Sequence, residues 1–417
     1  MNKINLRRVF AFAAGCVAAA ASAFAFAGQA SAGPCSVEKP VTICREPGRY
    51  VGWPTICRRA NGELLVVFSG DRDAHVCPWG KVQMIRSTDD GRTWSAPVTI
   101  QDGILDDRDA GLIELKDGTL LLNWFTSIAF YTLNQNAEAK DPKSRTARAE
   151  YLRHYETLPK GLVREALGFW TARSTDGGKT WSKPVRTPGT LPHGRTELKD
   201  GRILAVTRRF ANEGLFMNDD PDFGKIGHHI LCEESSDGGR SWRTLVELEA
   251  EEGVSLVDLH EPHLAELPDG RLVTQVRWHK NPMPGSCGMG LVQAESSDGG
   301  RTWTKLSPTK IVGFPPHLLP LRDGRLLTVY AKRIDGICGE YACLSSDGGR
   351  TWDVEHEILL CPFENGDLGY PSSVQLPDGT ILTVYYQPPK AGEPTAVQMT
   401  RWRVGRERNE RHEREGK

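Results

Sequence analysis

The sequence predicts an all-β fold, a six-bladed β-propeller, and three observations lead to this prediction. The octapeptide Ser-x-Asp-x-Gly-x-Thr/Ser-Trp occurs five times, beginning at Ser87, Ser174, Ser235, Ser296 and Ser345. Six apolar hairpins each carry an Asn-Gly or Asp-Gly turn, and one octapeptide follows each of the first five. The chain is also rich in turn-forming and anchoring residues, with 43 Gly, 26 Pro and 11 Trp. Such self-similarity indicates one small unit repeated around a ring.

Each octapeptide, called the Asp box below, is predicted to be a structural turn. Its glycine reaches positive φ without steric cost, and its Asp and Ser side chains can bond the backbone of the turn. The closing tryptophan is a large apolar anchor for the hairpin. We therefore expect the box aspartates to hold the hairpins together and to take no part in chemistry.

The six hairpin turns set the number of units, and the hairpins and boxes together set the number of strands in each unit. Asn-Gly and Asp-Gly between β-rich runs are strong hairpin signals. The turns are Asn61-Gly62, Asp117-Gly118, Asp200-Gly201, Asp269-Gly270, Asp323-Gly324 and Asp378-Gly379. Each unit then contains strand, turn, strand, strand, box and strand, which is a four-stranded blade. The sixth unit ends on one further run, AVQMTRWRV, without a box, and we expect the ring to close there.

The two ends and one insertion lie outside this pattern. Residues 1–32 are predicted to be a signal peptide, with a basic start, an apolar Ala/Phe stretch and the small-residue site Ala30-Ser31-Ala32. A membrane anchor is the alternative. Arg7-Arg8 weakly resembles a twin-arginine export signal, so we expect a secreted or periplasmic protein. The propeller is placed at residues 33–404 and a disordered charged tail at 405–417.

A polar segment between residues 126 and 167 interrupts the period inside blade 2. It is dominated by Ala, Glu, Arg and Leu, and a partly helical insertion is predicted. Insertions on repeat folds tend to lie on the functional face. A lid and a tolerated surface excursion are both compatible with the sequence.

Composition excludes several classes of partner. The formal charge is −1, or about −4 once Lys3, Arg7 and Arg8 are removed, so no basic field for nucleic acid is present. No other stretch is long and apolar enough to span a membrane. We expect a monomer. No CxxC or HExxH motif occurs, so no metal and no cofactor are expected.

Nine cysteines would follow the signal peptide, and export would permit disulfides. An odd number leaves at least one cysteine unpaired within the monomer. Proximity in sequence suggests three pairs, although the sequence cannot assign them. The suggested pairs are Cys35/Cys44, Cys57/Cys77 and Cys338/Cys343.

Polar side chains concentrate where the first strand of each blade begins, at the expected mouth of the central channel. Carboxylates, histidines, arginines and a tyrosine at such a position favour a polar, hydroxyl-rich ligand such as a sugar. The residues concerned are Asp107, Arg108, Asp109, His193, Arg195, His260, Glu261, His263, His317, Asp367 and Tyr370.

At this point the chain resembles the sialidases (neuraminidases), which carry Asp boxes on a six-bladed propeller. Two further matches support the resemblance. In blade 4, HEPHLAELPDGRLVTQVR supplies Glu261 and, sixteen residues later, Arg277. In blade 6, GYPSSVQLPDGT supplies Tyr370 just before the hairpin turn. The resemblance covers nearly all of the chain after the signal peptide.

The resemblance implies a secreted exo-glycoside hydrolase that retains anomeric configuration, with Tyr370 as nucleophile and Glu261 as the base that takes its proton. A neutral tyrosine suits a substrate that carries its own carboxylate. The acid/base residue is expected on the blade-1 loop SGDRDAHVCPWG, where Asp73 is the candidate and Asp71 and His75 are the alternatives.

The resemblance also implies substrate-binding residues, and one of the family's three clamp arginines is missing. Arg277 is the second clamp and Arg333 a candidate third, with Arg108, Asp107 and His260 as further substrate-binding candidates. The family's first arginine lies in Arg-Ile-Pro, where this chain has Gly52-Trp53-Pro54, and Gln387 stands where its glutamate partner would be. We therefore expect a rebuilt subsite, with Arg49 or Arg108 as possible replacements for the charge.

Three functions follow from these patterns. The first is a sialidase-like hydrolase acting on a sialylated or other acidic glycan. The second is a non-catalytic carbohydrate- or protein-binding propeller. The third is a polysaccharide lyase on the same scaffold, in which a Tyr/His pair abstracts a proton from a uronate. The discriminating observation is whether the Tyr370 hydroxyl reaches Glu261 and whether Arg277 and Arg333 converge on the same pocket.

Overall fold

Six antiparallel sheets surround one axis in the computed structural model, which describes residues 35–132, 142–209, 227–279, 288 and 290–405. The predicted all-β, six-bladed propeller is confirmed. The predicted signal peptide and almost all of the predicted tail lie outside the described residues, so export stays a prediction. Within the described ranges, no helix is long and apolar enough to cross a membrane.

The first half of the chain forms a short N-terminal pair of strands and then blades 1 to 3. Its elements are β1 (Ser36–Val37), β2 (Val41–Cys44), β3 (Tyr50–Arg58), β4 (Leu64–Arg72), β5 (Lys81–Ser87), β6 (Val98–Gln101), β7 (Asp106–Glu114), β8 (Leu120–Ser127), α1 (Ala129–Thr132), α2 (Pro142–Thr157), α3 (Lys160–Ala166), β9 (Phe169–Ser174), β10 (Val185–Arg186), β11 (Thr196–Glu197), β12 (Ile203–Arg209), β13 (His229–Ser235) and β14 (Arg243–Glu247).

The second half forms blades 4 to 6, with 3₁₀ turns at Leu256–Asp258 and Val354–His356. Its strands are β15 (Leu259–Glu266), β16 (Leu272–Trp278), β17 (Gly290–Ser296), β18 (Ser307–Pro308), β19 (Phe314–Pro320), β20 (Leu326–Lys332), β21 (Gly339–Ser345), β22 (Ile358–Pro362), β23 (Gly369–Gln375), β24 (Ile381–Gln387) and β25 (Ala396–Arg403). The inner strands of blades 1 to 6 are β3, β7, β11, β15, β19 and β23.

The ring closes at blade 6, where the sequence lacks a box. Strand β25 pairs antiparallel with both N-terminal strands, in the registers Val37 opposite Trp402 and Val41 opposite Met399. The beginning of the propeller therefore supplies the outer strands of its last blade. This pairing covers the edge that β25 would otherwise expose.

The Asp boxes adopt the predicted structural role, as the box of blade 4 illustrates. The Asp298 carboxylate accepts the backbone N–H groups of Arg301 and Thr302, both at 2.9 Å, and the Thr302 and Ser296 hydroxyls. The Ser296 hydroxyl in turn accepts the N–H of Gly300 at 3.0 Å. Hydrogen bonds from Thr302 lower the pKa of Asp298 to about 2. The turn thus satisfies its own polar groups.

The hairpin turns also match the prediction, because each turn glycine has φ between +82° and +93°. A recurring contact joins neighbouring blades at these turns. Glu197, at the end of β11, accepts the backbone N–H of Lys116 in the blade-2 hairpin at 2.6 Å, and Glu266 accepts that of Lys199 at 2.9 Å. An inner-strand carboxylate therefore fastens the hairpin of the preceding blade.

The suggested disulfides do not form, since all eight cysteines within the described residues are free. The reason is the packing of the blades. Cys57 packs in the cluster between blades 1 and 2, whereas Cys77 packs under the insertion. Cys338 and Cys343 likewise belong to separate hydrophobic clusters. Closeness in sequence does not bring these thiols together.

The insertion in blade 2 is helical, as predicted, and it is anchored to the blade-1 loop. Tyr151, Tyr155 and Val163 pack with Cys77 in one buried cluster, and Trp79 packs against it. The rings of Tyr131 and Tyr155 stack with centroids 3.8 Å apart. The insertion therefore supports the loop between β4 and β5 from one side.

We predict that replacing one box aspartate destabilises the propeller. Asp298→Ala removes the acceptor for two backbone N–H groups and two hydroxyls, and it should lower the free energy of unfolding by about 1–2 kcal/mol. Chemical denaturation with matched slopes measures the change. Glu252→Ala, at an exposed turn position, serves as the control and should change stability by less than about 0.5 kcal/mol. Equal effects of the two substitutions would contradict the structural role of the box.

Candidate active site

One end of the propeller axis opens into a cavity of about 450 Å³. Every blade contributes to its wall. The contributing charged and titratable side chains are His75 from the blade-1 loop, Arg108 and Asp109 from β7, Arg208 from β12, His260 and Glu261 from β15, Arg277 from β16, His279 just after it, Arg333 from the end of β20 and Tyr370 from β23. Ser127 and Ala129, at the start of the insertion, also line it.

Irregular backbone at the start of the inner strands directs side chains into this cavity. The register shifts between Arg108 and Gly111 in blade 2, between Leu259 and Pro262 in blade 4, and between Gly369 and Ser372 in blade 6. β-Bulges re-aim side chains and are common beside functional sites. The regular pairing of these inner strands is therefore interrupted where the cavity begins.

Three cavity-side residues have left-handed backbone conformations although none is a glycine. The φ angles are +55° at Trp53, +49° at Asp109 and +55° at Tyr370. Such conformations are unfavourable for residues with a Cβ and persist only where surrounding structure imposes them. All three lie at bulges of inner strands, since the register of β3 also shifts between Gly52 and Thr55. Asp109 and Tyr370 therefore bring this strain to the cavity lining.

Tyr370 and Glu261 meet across the cavity floor. The Tyr370 hydroxyl donates to Oε1 of Glu261 at 2.6 Å, and the Nη1 of Arg277 donates to both oxygens of that carboxylate at 3.1–3.2 Å. The Tyr370 residue is only 5% exposed and the Glu261 side chain 19%. The pairing predicted between blades 4 and 6 is therefore present.

The electrostatics of this pair keep its proton on the tyrosine. Burial raises the pKa of Tyr370 well above its usual value, and Glu261 and Asp109 add to the effect. Burial alone would raise the pKa of Glu261, but the Arg277 charge and the Tyr370 hydrogen bond outweigh it and hold this pKa below its ordinary range. The resting form is a neutral phenol beside a carboxylate that is ready to accept its proton.

Arg277 and Arg333 converge on the cavity, as expected. The guanidinium of Arg277 lies 3.8 Å from the ring centroid of Phe314, and that of Arg333 lies 5.7 Å from it on the same ring. Arg333 is held by the carbonyl of Leu368 at 2.9 Å and the hydroxyl of Tyr386 at 3.1 Å. These contacts orient both cations toward the space above Tyr370.

Trp53 directly follows Gly52, the residue that stands where the resemblance places the first clamp arginine. It is 1% exposed and packs with Tyr50, Tyr370 and Tyr386 in one aromatic cluster. The guanidinium of Arg108 lies 4.3 Å from its ring centroid. Gln387 is buried and donates to the sulfur of Cys361 at 3.4 Å, away from the cavity lining. Next to Gly52, the chain therefore has a buried aromatic cluster, of which Tyr370 lines the cavity.

A buried ion pair lies against the Trp53 ring. Arg72 and Asp106 are both 0% exposed and form two hydrogen bonds of 2.6 and 2.8 Å. The guanidinium of Arg72 lies 4.9 Å from the Trp53 ring centroid, so both Arg72 and Arg108 contact the indole. Sequence reasoning missed this pair, because nothing in the local pattern shows that two strands of adjacent blades bring these side chains together.

Two predicted site residues do not line the cavity. Asp73 lies on its exposed rim, where it pairs with Arg49. Asp107 is fully buried and accepts the backbone N–H of Gly103 at 2.7 Å. Arg49, the other suggested replacement for the missing charge, is engaged with Asp71 and Asp73 on the rim. Their proposed roles stay predictions.

Asp109 does line the cavity, although no role was assigned to it from the sequence. It is 7% exposed, and its Oδ1 atom has no hydrogen-bond partner among the described residues. Burial raises its pKa to about 7, with Glu261 and Asp106 adding to the effect and Arg108 and Arg72 opposing it. Only its place in the run DDRDAG, at the start of an inner strand, marked it as a candidate.

Arg208 and His260 form a second polar group in the wall. The Nη1 of Arg208 lies 2.8 Å from Nδ1 of His260, so this ring nitrogen is the acceptor and the imidazole is neutral. Burial and the Arg208 charge lower the pKa of His260 to about 3. His260 therefore lies in the cavity as predicted, and Arg208 is an additional cation that the sequence analysis did not single out.

Three histidines lie deeper along the axis, behind the cavity floor. His193, His263 and His317 have ring centroids 4.3–5.6 Å apart, and all three are buried. Burial lowers the pKa of each imidazole, so the group is neutral. Across the described residues, no cluster of three or more His, Cys, Asp or Glu side chains is arranged to hold a metal ion.

The chain is similar in sequence to known proteins over most of its length. The BNR repeat-like domain family matches residues 34–255 and 126–384. A sialidase of Bacteroides fragilis is 23% identical over 372 residues, and a sialidase of Micromonospora viridifaciens is 26% identical over 366 residues. Each alignment covers 80% of this chain, but only 59% and 49% of those relatives. The chain thus spans about half the length of these curated relatives.

A solved structure covers the fold more completely. A protein of unknown function from Dyadobacter fermentans superposes with a TM-score of 0.69 and 25% identity. The alignment includes 89% of this chain and 99% of that one. The propeller therefore accounts for nearly all of that solved chain.

We predict that Asp109 makes the protein less stable as the pH rises from about 4 to above 7. Its carboxyl is protonated in the folded state up to a pKa of about 7, whereas the unfolded chain ionises near 4. A raised pKa stabilises the fold below the unfolded value, and this stabilisation is lost as the pH rises through the folded value. Asp109→Asn should therefore unfold at a higher temperature than the wild type at pH 8, by a margin that shrinks toward pH 5. Asp335→Asn, on an exposed loop, should show no such trend, and a pH-independent effect of Asp109→Asn would contradict the prediction.

Proposed function

Since the chain belongs to the BNR repeat-like domain family, we propose that it is a glycoside hydrolase of the sialidase type that acts on a glycan bearing a carboxylate. One observation carries the proposal. The Tyr370 hydroxyl lies 2.6 Å from the Glu261 carboxylate, at the floor of a cavity lined by four arginines. The two relatives named as sialidases support the same class of reaction.

The tyrosine–carboxylate pair supplies the nucleophile. A phenol with a raised pKa attacks poorly unless its proton leaves as the new bond forms. Glu261 is already hydrogen-bonded to that proton, and Arg277 keeps the carboxylate ionised and oriented. Attack on the anomeric carbon would transfer the proton to Glu261 and form a glycosyl–tyrosine intermediate. Hydrolysis of this intermediate by water gives net retention.

The charges of the cavity favour an anionic substrate. Arg108, Arg208, Arg277 and Arg333 line it, against the carboxyl groups of Asp109 and Glu261. Guanidinium groups bind carboxylates through paired hydrogen bonds. Because Gly52 stands where the resemblance places the first clamp arginine, the substrate carboxylate would be bound by Arg277 and Arg333 without that arginine. The proposed specificity is therefore for acidic glycans, with sialosides as the first substrates to test.

The reaction class is tested by hydrolysis of a panel of glycosides with the purified protein. The panel contains aryl sialosides, a sialyl-oligosaccharide, neutral aryl glycosides and an acidic uronide oligosaccharide. We expect release of sialic acid or of another acidic sugar. Binding without turnover would favour a non-catalytic propeller, and an unsaturated uronide product would favour a lyase. Either of these results would refute the hydrolase proposal.

We predict that Tyr370→Phe lowers kcat by roughly a thousandfold or more, because the nucleophile is removed. Glu261→Gln keeps the shape of the pair but cannot accept the proton, and it should lose about 10²- to 10⁴-fold. Tyr341→Phe is the matched control, since this hydroxyl bonds only a loop carbonyl in blade 5 among described contacts. Initial rates on the best substrate measure the effect. Activity of Tyr370→Phe equal to that of the wild type would remove the nucleophile assignment.

We predict that Arg333→Lys raises KM for a carboxylate-bearing substrate by roughly 10- to 100-fold and changes kcat less. A lysine keeps the charge but cannot reproduce the planar, bidentate geometry. Arg350→Lys, in an exposed Asp box, is the matched control. An unchanged KM for Arg333→Lys would show that the substrate anion is held elsewhere in the cavity.

A further inference from the structure

A hydrogen-bonded chain crosses from the solvent to the cavity at the junction of blades 1 and 6. The Tyr50 hydroxyl donates to Oδ1 of Asp367 at 2.9 Å and lies 2.9 Å from Nδ1 of His75. Asp367 lies on the exposed loop before β23, whereas Tyr50 is buried at the start of β3. His75 is exposed toward the cavity mouth and lines its wall.

The chain of donors fixes the tautomer of His75. A phenol has one proton, and Tyr50 gives it to the Asp367 carboxylate. The contact between Tyr50 and Nδ1 of His75 must then use a proton carried by the imidazole. The neutral ring therefore bears hydrogen on Nδ1, and its Nε2 lone pair is left for the cavity.

We propose that Asp367, Tyr50 and His75 form a relay that makes His75 the residue exchanging a proton with the leaving group and with water. This inference rests on the proposed hydrolase function. Asp367 and Tyr50 are positioning residues, and His75 is the group that contacts the reacting atoms. Of the three alternatives on the blade-1 loop, His75 is the one that lines the cavity, whereas Asp71 and Asp73 bond Arg49 on the rim.

The charges around His75 make its protonation depend on whether an anionic substrate is bound. Desolvation of the ring and the nearby cations lower the pKa of His75 to about 3. The ring also packs against Trp53, with centroids 4.9 Å apart. The cations responsible come from four blades and are Arg108, Arg72, Arg333 and Arg277. The carboxylate of a bound substrate would pair with the cavity arginines and add a negative charge of its own. Both changes favour the imidazolium, so an anionic substrate would bind together with a proton.

The two half-reactions then balance. In the first, the bond from the anomeric carbon to the leaving oxygen breaks and this oxygen takes the proton from Nε2 of His75. Meanwhile the Tyr370 oxygen bonds to the anomeric carbon and its proton moves to Glu261. In the second, neutral His75 takes a proton from water as the water oxygen bonds to the anomeric carbon. Tyr370 leaves and recovers its proton from Glu261, so one glycosidic bond and one water are consumed.

The relay is tested by leaving-group dependence. His75→Gln should lower kcat/KM for an alkyl or sugar sialoside by about 10²- to 10⁴-fold. It should lower the rate of the first step much less for a nitrophenyl sialoside, whose leaving group departs without a proton. Added azide should accelerate the variant by attacking the glycosyl–tyrosine intermediate, and a glycosyl azide should form. His356→Gln, an exposed histidine on the rim of blade 5, is the control.

Two rival acids are tested in parallel. Asp109→Asn and Asp73→Asn are assayed on the same substrates. Asp109 lines the cavity, and Asp73 lies on the same blade-1 loop as His75. Equal losses of His75→Gln on both classes of substrate, or a leaving-group-dependent loss confined to one of the aspartate variants, would overturn the role of His75. Neither result would affect the assignment of Tyr370. A wild-type protein inactive on the whole panel would instead refute the hydrolase function, and this inference with it.

The hydrogen-bond chain itself is tested without substrate. The imidazole ¹⁵N spectrum should show neutral His75 with its proton on Nδ1, and Tyr50→Phe should weaken this preference and shift the pH profile of activity. Normal thermal stability of Tyr50→Phe would separate the relay from a general effect on folding. An Nε2–H tautomer in the wild type, or an unchanged pH profile in Tyr50→Phe, would overturn the relay.

Discussion

The pairing of β25 with β1 and β2 is the constraint on which the rest of the structure depends. It closes the ring and fixes blade 6 against blade 1. The aromatic cluster of Trp53 and Tyr370 and the bond from Tyr50 to Asp367 both cross this junction. Without closure, the nucleophile candidate would lose the wall that buries it. The strands farthest from the axis therefore determine the geometry at its centre.

The blades separate stabilisation from chemistry along each strand. At the outer turns, box residues such as Asp298 and Ser296 satisfy the backbone locally. At the inner ends, Asp109 and Tyr370 adopt unfavourable φ angles beside bulges. Strain of this kind costs on the order of 1–3 kcal/mol per residue and persists only where other interactions exceed it. The stabilisation from the repeated turns thus offsets the strained backbone beside the cavity.

The features that could be predicted from the sequence are those with local causes. Turn chemistry predicted six blades, because an Asp-Gly hairpin needs no distant partner. The position of Glu261 and Tyr370 before a hairpin turn predicted their place on inner strands, whereas their catalytic roles came from the resemblance to sialidases.

The remaining features depend on contacts between segments far apart in the chain. The pair of Arg72 with Asp106 joins two blades, and the outer strands of blade 6 come from residues more than 350 positions earlier. The loop around His75 takes its shape from helices inserted in another blade. No short-range pattern reports such contacts. For the same reason, the sequence could not decide among Asp71, Asp73 and His75.

The origin of the outer strands in blade 6 also bears on how the chain is made. Strands β1 and β2 leave the ribosome first, yet their partner β25 is among the last segments of the propeller to be synthesised. Contacts of such large sequence separation form late and slow folding. During synthesis β1 and β2 therefore have no partner in the sheet until β25 has been made, which is after every strand of blades 1 to 5.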